Sequence, residues 1–433
     1  MPMAADPRPT APAATRRPAI ATGALLAAGA VVLAACGSST PAKSSSHATS
    51  GTSTTVAAGT SDASTSTTTA TAAKTSSGAT GSSNAPAGSS TPGGTLGGSN
   101  DVHTPSAQLT GAGANSIYPF FQTAFYHYGQ ADSAVTVNYS PAGSSVGVAD
   151  VQQGTVDFGD SEIPMNAAQL AKAQGTVLQV PVDLGGVALS YNVPGVKSGL
   201  KLDGPTLAGI YLGTITNWND QAIAADNPGV SLPNLAIVPV HRADSSGPGY
   251  DLDQYLIDTS PAWVGAIGTS TPSTSWPKAN VGVGQQLNTG VANYIQQTSG
   301  AIGYVEFAYA LEANSSNVAL ANKAGSFVTP SQASIAAAGA NASGLSASNF
   351  NIVYGPGAGT YPLANFSWTL LYQRQANTNK GIAAGKLFDW ITTSGQQYAS
   401  ALGYAPLPAN AVALAHQTLL QLETSSGQPL FSS

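Results

Sequence analysis

The sequence predicts an α/β protein in which helices alternate with the strands of largely parallel sheets. Two observations indicate this fold class. Short apolar runs such as residues 135–139 and 236–240 are bounded by Gly, Pro, Asn and Ser, as strands are. Longer runs with helical spacing, such as residues 288–297, lie between strand-like segments. An alternation of this kind is typical of layered α/β folds.

Composition limits what the chain can do. Its 433 residues are enough for two or three domains. Only 8% of the residues are charged, whereas about 25% is usual. The 14 basic and 20 acidic residues give a net charge of −6 and no basic cluster, which argues against a nucleic-acid partner. One cysteine permits neither an intrachain disulfide nor a cysteine metal cluster.

The amino terminus has the pattern of an export signal. Arg16 and Arg17 precede an apolar run at residues 19–35, which ends in Leu-Ala-Ala before Cys36. This ending resembles the lipobox of bacterial lipoproteins, in which the cysteine becomes the first mature residue and carries the lipid. The alternative is an uncleaved anchor helix, for which the run is short. We therefore expect residues 1–36 to be a signal peptide and Cys36 the lipid attachment site.

Residues 37–106 consist mainly of Ser, Thr, Ala and Gly. A segment with so few large apolar residues cannot bury a core, and we expect a disordered tether that holds the folded domain away from a membrane. An O-glycosylated stalk is an alternative that is compatible with the same role.

The folded part begins with a strand near Ala107 that leads into a helix. Asn115 or Ser116 can cap this helix, and Phe121 and Phe125 have the spacing of core residues. Polar residues at the end of such a strand are also candidates for ligand binding, because ligands of open α/β sheets bind at the carboxyl ends of strands.

Two further strand ends carry polar residues. The predicted strand at 135–139 is followed by a turn with Ser144, and the predicted strand at 155–159 is followed by Glu162. If these ends lie on the same edge of a sheet, their side chains belong to one site. Ser144 also fits the simpler role of a residue in a turn.

The middle and end of the chain contain four other features. Residues 177–182 and 186–191 are predicted strands, and Pro181 indicates that the first one ends or lies at a sheet edge there. The Ala-, Gly- and Ser-rich residues 334–348 are predicted to be a variable insertion, and residues 362–372 return to strand character.

A short loop combines groups that bind anions. Arg242 lies at the end of the predicted strand 236–240, and Ser246 and Gly247 precede a predicted helix that starts at Tyr250. Helix amino-terminal N–H groups and an Arg fork are a common way to hold a small anion. An alternative is that Arg242 and Asp244 form only a surface ion pair in an ordinary turn.

Six segments of the chain together resemble one known family. They are Gly-Ala-Gly-Ala at 111–114, Val-Asp-Phe-Gly at 156–159, residues 203–213, Arg-Ala-Asp at 242–244, residues 300–306 and residues 402–408. In this order and spacing they are similar to the phosphate-binding lipoproteins of the bacterial high-affinity phosphate ABC transporter, the PstS type. The resemblance covers residues 109–431.

The resemblance implies a two-lobed, periplasmic-binding-protein-like fold of type II with a ligand cleft between the lobes. The first lobe would comprise residues 107–190 and 361–433, and the second lobe would comprise residues 191–360. The disordered tether would precede them.

The resemblance also implies which residues bind phosphate. They are Asn115, Ser116, Ser144, Glu162, Arg242, Ser246, Gly247 and Pro248, and Asp244 would orient Arg242. The chain departs from the family pattern at three of these positions, where Asn115 and Pro248 replace Thr and Glu162 replaces Asp. Because Pro248 has neither an N–H nor a hydroxyl, Ser245 or Gly249 must compensate or the affinity is lower.

Glu162 is the residue that would discriminate between anions. An ionised carboxylate only accepts hydrogen bonds. Phosphate near neutral pH keeps at least one proton and can donate it, whereas sulfate has none and would be repelled.

The expected function is therefore capture of inorganic phosphate outside the membrane and delivery to the permease subunits of an ABC importer, without a cofactor or metal. Alternatives are a binder of another protonated oxyanion such as arsenate, and a phosphate sensor or scavenger. An enzyme such as a phosphomonoesterase is disfavoured, because His127, His241 and His416 are widely spaced and no metal-binding pattern occurs.

Overall fold

The computed structural model describes Leu96 and residues 104–269 and 281–431. The predicted signal peptide, Cys36 and nearly all of the predicted tether lie outside the described residues. The strands are β1 (Ala107–Gly113), β2 (Val135–Ser140), β3 (Phe158–Ser161), β4 (Val177–Tyr191), β5 (Lys201–Leu202), β6 (Val238–Arg242), β7 (Val283–Gln285), β8 (Ala301–Glu306), β9 (Ser316–Asn317), β10 (Ala319–Ala321), β11 (Phe327–Val328), β12 (Ala364–Tyr372), β13 (Arg374–Gln375) and β14 (Glu423–Thr424).

Helices connect most of these strands. They are α1 (Tyr118–Ala131), α2 (Ser144–Gln153), α3 (Ala167–Leu170), α4 (Gly204–Leu212), α5 (Gln221–Asp226), α6 (Gly247–Thr259), α7 (Pro261–Ile267), α8 (Leu287–Gln297), α9 (Phe307–Glu312), α10 (Gln332–Ala340), α11 (Thr378–Thr392) and α12 (Ala409–Leu419). Within the described residues, every helix is too short or too polar to cross a membrane.

The main sheet has nine strands in the order β2-β1-β3-β12-β4-β8-β6-β7, with β9 paired to β4. Its two ends are parallel: β1 pairs with β2 and β3, and β6 pairs with β7 and β8. Its centre is antiparallel, because β12 runs against β3 and β4, and β4 runs against β8. The α/β class is thus confirmed, but the sheet is mixed.

Strand β4 passes from one half of the sheet to the other. The sequence predicted two strands here, whereas the structure has one strand of 15 residues. Pro181 lies where β4 pairs with β12 but not yet with β8, whose pairing starts at Val187. Strand β4 has one strand partner at Pro181, but it continues through this residue and lies inside the sheet order, so the predicted strand end or sheet edge is not found there.

Among the described residues, buried apolar side chains form three clusters, and the two larger ones are the hydrophobic cores on which this strand packs. The first contains Leu109 and Phe121, and the second contains Trp218 and Leu256. Strand β4 contributes to both, with Val180 and Val182 in the first core and with its later residues in the second. Two cores joined by crossing strands are the two-lobed architecture of the predicted fold class.

Two local expectations need correction. The strand predicted at 155–159 is β3, which starts only at Phe158 and therefore includes Asp160. Helix α1 has Ile117 at its N-cap and no side-chain cap, so neither Asn115 nor Ser116 caps it. The Ala-, Gly- and Ser-rich residues 334–348 include most of α10, which begins with a capping box at Ser331 and buries Ile335 completely in the second core.

Candidate functional site

The structure brings the predicted site residues together from four segments. The Ser144 hydroxyl lies 3.5 Å from Glu162 Oε2 and 3.4 Å from the Glu162 backbone N. A Cβ on Gly247 would lie 2.5 Å from Glu162 Oε2, and a Cβ on Gly143 would lie 3.3 Å from Asp244 Oδ2. The loop before α6 therefore packs directly against the ends of β3 and the start of α2.

Arg242 is buried at the centre of this contact. Its Nε donates to Asp244 Oδ1 at 2.7 Å, and its Nη2 contacts Asp244 Oδ2. Its Nη1 is also buried, and no residue that the structure describes accepts a hydrogen bond from it. A buried guanidinium nitrogen without an acceptor costs free energy. Arg242 thus presents one donor to a ligand while Asp244 holds the other side of the fork.

The position of Asp244 is fixed from a second segment. Its Oδ1 also accepts from the Leu287 backbone N–H at 3.0 Å. Leu287 has a φ of 59°, a left-handed conformation that is unfavourable for a non-glycine residue. The surface pair that we considered as an alternative is therefore wrong, because the Arg242 side chain is 2% exposed and Asp244 is anchored on two sides.

The amino terminus of α6 faces Glu162. Ser246 is the N-cap and accepts from Gly249 N at 3.2 Å, and Pro248 occupies the first turn. Gly249 therefore does not replace the donor that Pro248 lacks, because its N–H is already used. The Gly247 N–H bonds the Glu162 carboxyl, which therefore lies at the positive end of the helix dipole.

Asn115 and Ser116 are held by a residue that the sequence analysis missed. Asn288 donates to Asn115 Oδ1 from its backbone N at 3.0 Å and from its Nδ2 at 3.1 Å, and its Nδ2 also donates to Ser116 Oγ at 3.2 Å. Tyr309 donates to the Asn115 carbonyl at 2.8 Å. The side chain of Asn115 thus accepts bonds from α8, which leaves the Ser116 hydroxyl proton for other partners.

Strand β12 supplies a polar row that the sequence analysis also missed. Asn365, Ser367 and Thr369 alternate along β12 and therefore share one face. Each contacts a buried carboxyl group from another element. The contacts are Asn365 Nδ2 to Asp251 Oδ2 at 2.5 Å, Ser367 N to Asp183 Oδ1 at 3.0 Å, and Thr369 Oγ1 to Asp160 Oδ2 at 3.2 Å. The alternation Asn-Phe-Ser-Trp-Thr was the available signal.

Burial raises the pKa values of these acids. It raises the pKa of Glu162 to about 7, against the opposing effects of the Ser116 hydroxyl, the Arg242 charge and the Gly247 N–H. It also raises the pKa of Asp183 to about 7. The pKa values of Asp160, Asp251 and Glu306 lie well above their usual range for the same reason, and neighbouring carboxyls raise them further.

The arrangement favours a small oxyanion that carries a proton. One buried guanidinium, a helix amino terminus and hydroxyls provide donors, and Glu162 provides an acceptor. Among the described residues, no group of three or more His, Cys, Asp or Glu side chains could hold a metal ion. His127 stacks on Tyr398 and His416 contacts Asp389, both away from this cleft.

Comparisons with known proteins give a consistent result. The profile of the PBP superfamily domain matches residues 37–394. The phosphate-binding protein PstS of Xylella fastidiosa strain Temecula1 is 40% identical over 312 residues, which cover 71% of this chain and 84% of that protein. The phosphate-binding protein PstS of Pasteurella multocida strain Pm70 is 37% identical over 332 residues, which cover 76% and 94%.

A solved structure supports the fold. The phosphate-binding protein from Stenotrophomonas maltophilia aligns with a TM-score of 0.57 at 17% sequence identity, and the alignment covers 72% of this chain and 93% of that chain.

Because of the buried acids, we expect the free energy of unfolding to decrease as the pH rises. The pKa values of Glu162 and Asp183 rise on folding from 4.5 and 3.8 to about 7. Their stabilisation is complete below about pH 4 and is lost as the pH rises through about 7, since the folded state then binds more protons than the unfolded state. We expect the free energy of unfolding in urea to be at least about 2 kcal/mol larger at pH 5 than at pH 8.

Asp183→Asn removes one of these acids and should weaken this pH dependence. A free energy of unfolding that stays constant or increases from pH 5 to pH 8 in the unaltered protein would contradict the assignment of raised pKa values.

Proposed function

Because this chain belongs to the PstS family of phosphate-binding proteins within the PBP superfamily, we propose that it captures inorganic phosphate between its two lobes for an ABC importer. The observation that carries the proposal is the buried Nη1 of Arg242, which lacks an acceptor among the described residues while Asp244 occupies the other nitrogens. A phosphate oxygen satisfies this donor with a charge-assisted bond.

The proposed ligand shell surrounds that nitrogen. It consists of Asn115, Ser116, Ser144, Glu162, Arg242, Ser246, Gly247 and Pro248. Hydroxyls and backbone N–H groups donate to the phosphate oxygens, and Pro248 offers only an apolar contact. The proposal is supported by the convergence of these segments on Glu162 and by the commitment of Asp244 to orienting Arg242.

Glu162 is proposed to accept the proton that phosphate carries. Burial raises the pKa of this carboxyl to about 7, so that it is mostly ionised only above neutral pH in the absence of a ligand. An ionised Glu162 accepts from the phosphate O–H and repels an anion that has no proton. Discrimination against sulfate should therefore be strongest in mildly alkaline solution.

Delivery requires a location outside the cytoplasm. We propose lipid attachment at Cys36, with the residues before Cys36 removed during export and residues 37–106 serving as the tether. The support is the basic, apolar and small-residue order that ends at Cys36. The partners are then the phosphate ion, the permease subunits and the membrane, and the proposed lobes are residues 107–190 with 361–433, and residues 191–360.

The protein acts as a binder rather than an enzyme. Two of its relatives, from Xylella fastidiosa and Pasteurella multocida, are phosphate-binding proteins by name. Within the described part of the chain, the three His residues do not converge on the cleft, and no metal group occurs. Arsenate has the same shape and protonation chemistry as phosphate, and the same donors fit it.

Calorimetric titration at about pH 8 tests which anion the protein binds. We expect the chain to bind phosphate and arsenate, and to bind sulfate at least about 100-fold more weakly. Sulfate has no proton to donate, and placing its negative charge against the Glu162 carboxylate costs several kcal/mol of binding free energy. Sulfate binding as tight as phosphate binding would contradict the role of Glu162. Absence of phosphate binding would contradict the proposed function itself.

Arg242→Ala tests whether phosphate binds in the cleft at Arg242. The change leaves an oxyanion without its only described guanidinium partner, and we expect a loss of at least about 2 kcal/mol of phosphate binding free energy. Arg374→Ala is the matched control, since the Arg374 side chain is 70% exposed and its ion pair among the described residues is with Glu423. Equal affinities of the two variants would place the phosphate site elsewhere.

A further inference from the structure

The first two residues of α8 hold two separate parts of the proposed anion site. The Leu287 backbone N–H donates to Asp244 Oδ1 at 3.0 Å, and Asp244 in turn holds Arg242. The next backbone N–H, that of Asn288, donates to Asn115 Oδ1 at 3.0 Å. The first N–H groups of a helix have no partner inside the helix, so they can fix side chains of other segments. One helix start thus connects the orientation of Arg242 with that of Asn115.

This helix start is held in one conformation. Leu287 has a φ of 59°, which a non-glycine residue keeps only where the surrounding contacts determine it. Asn288 is buried completely, and its Oδ1 accepts from the Glu306 backbone N–H at 3.0 Å. Its Nδ2 donates to Asn115 Oδ1 at 3.1 Å and to Ser116 Oγ at 3.2 Å. Both ends of the Asn288 amide are therefore used, and the side chain has one orientation.

These bonds determine which way the Asn115 amide is turned. A backbone N–H can only donate, so the Asn115 atom that faces the Asn288 N–H is the oxygen Oδ1. The other branch of the amide is Nδ2, and it donates to no acceptor in the part of the chain that the structure describes. Asn115 is only 4% exposed, and a buried N–H without an acceptor costs free energy.

The backbone on both sides of this amide is also fixed. The Tyr309 hydroxyl donates to the Asn115 carbonyl at 2.8 Å. The Tyr404 hydroxyl donates to the Ser116 carbonyl. The Ser116 side chain bonds the Glu162 carboxyl, so that Asn115 is the direct chain neighbour of a residue that contacts Glu162. The unused N–H groups of Asn115 are thus held beside the proposed ligand shell.

We propose that Asn288 is a positioning residue of the phosphate site, which turns the Asn115 amide so that Asn115 Nδ2 donates to a phosphate oxygen. This inference rests on the proposed function and deepens it. Asn288 does not touch the ligand and acts through Asn115 and Ser116. Without the Asn288 side chain, the Asn115 amide can turn its oxygen toward the ligand, and an amide oxygen repels an anion.

Asn115→Asp tests the orientation of the amide. The change keeps an oxygen for the two Asn288 donors, which favour the ionised carboxylate, and puts a second oxygen in place of Nδ2. In calorimetry at about pH 8, phosphate should bind at least about 100-fold more weakly than to the unaltered protein, because like charges then face each other. Asn115→Thr keeps a donor and should lose at most about tenfold in affinity. Urea unfolding without phosphate checks that both variants are folded.

Asn288→Ala tests the positioning role. The change removes the two Nδ2 bonds and leaves the backbone N–H, and it should weaken phosphate binding about tenfold. The double variant with Asn115→Ala should bind more tightly than the product of the two separate losses predicts, because one residue acts through the other. Asn293→Ala is the matched control, since Asn293 is an exposed residue of the same helix, and its affinity should stay unchanged.

Nuclear magnetic resonance of the protein labelled with nitrogen-15 at asparagine gives a readout that a merely structural role would not move. The side-chain amide signal of Asn115 is the one absent from the spectrum of Asn115→Thr. Its protons should move downfield when phosphate is added, because they enter a charge-assisted hydrogen bond. In Asn288→Ala this movement should be smaller, and the Asn293 amide signal should not move in either protein.

The outcomes separate this inference from the proposed function. If the unaltered protein binds phosphate and the Asn115 amide protons do not move downfield, the inference is wrong. It is also wrong if Asn115→Asp binds phosphate as tightly as the unaltered protein, or if Asn288→Ala keeps both the affinity and the signal movement. If the unaltered protein binds no phosphate, the proposed function fails instead.

Discussion

The structure depends on keeping buried acidic side chains neutral. Five of these are Asp160, Glu162, Asp183, Asp251 and Glu306. An unpaired ionised carboxylate is very costly in such surroundings, and the guanidinium that faces the group is bound to Asp244. Protons must therefore occupy most of these sites, and the number of protons affects the stability of the fold.

The fold meets this constraint with neutral donors. One face of β12 places an amide, a backbone N–H and a hydroxyl against three of the acids, and the Gly186 N–H donates to Glu306 at 2.9 Å. Cross-strand pairing fixes these contacts, since Thr369 lies opposite Asp160 and Ser367 lies opposite Asp183. Strands β4 and β12 thus position the donors that bind the buried acids, and they also connect the two cores.

Local sequence was sufficient for the parts of the site that are close in the chain. Arg242, Asp244 and Ser246 lie within five residues, and a strand end followed by a helix start determines their geometry. Glu162 was identifiable because it follows a short strand. The boundaries of β3 and α6 were less accurate, because hydrogen bonds to distant residues decide where a short element begins.

Contacts between distant segments could not be predicted in the same way. Asn288 reaches Asn115 across 173 positions, and Asn365 reaches Asp251 across 114. Nothing near Asn288 in the sequence indicates this partner. The residues 334–348 looked like an insertion because small residues have weak periodicity, yet Ile335 is buried completely. Composition alone does not show which face of such a helix meets the core.

The most direct test of whether the buried carboxyls are protonated is to locate their protons. Neutron diffraction from crystals of the deuterated protein with phosphate bound shows deuterium positions on carboxyl and phosphate oxygens. We expect deuterium between Glu162 and a phosphate oxygen, deuterium on Asp251 or a second phosphate oxygen, and Arg242 Nη1 donating to the ligand. Bound phosphate with no deuterium facing Glu162, and with both Glu162 and Asp251 ionised, would contradict the account.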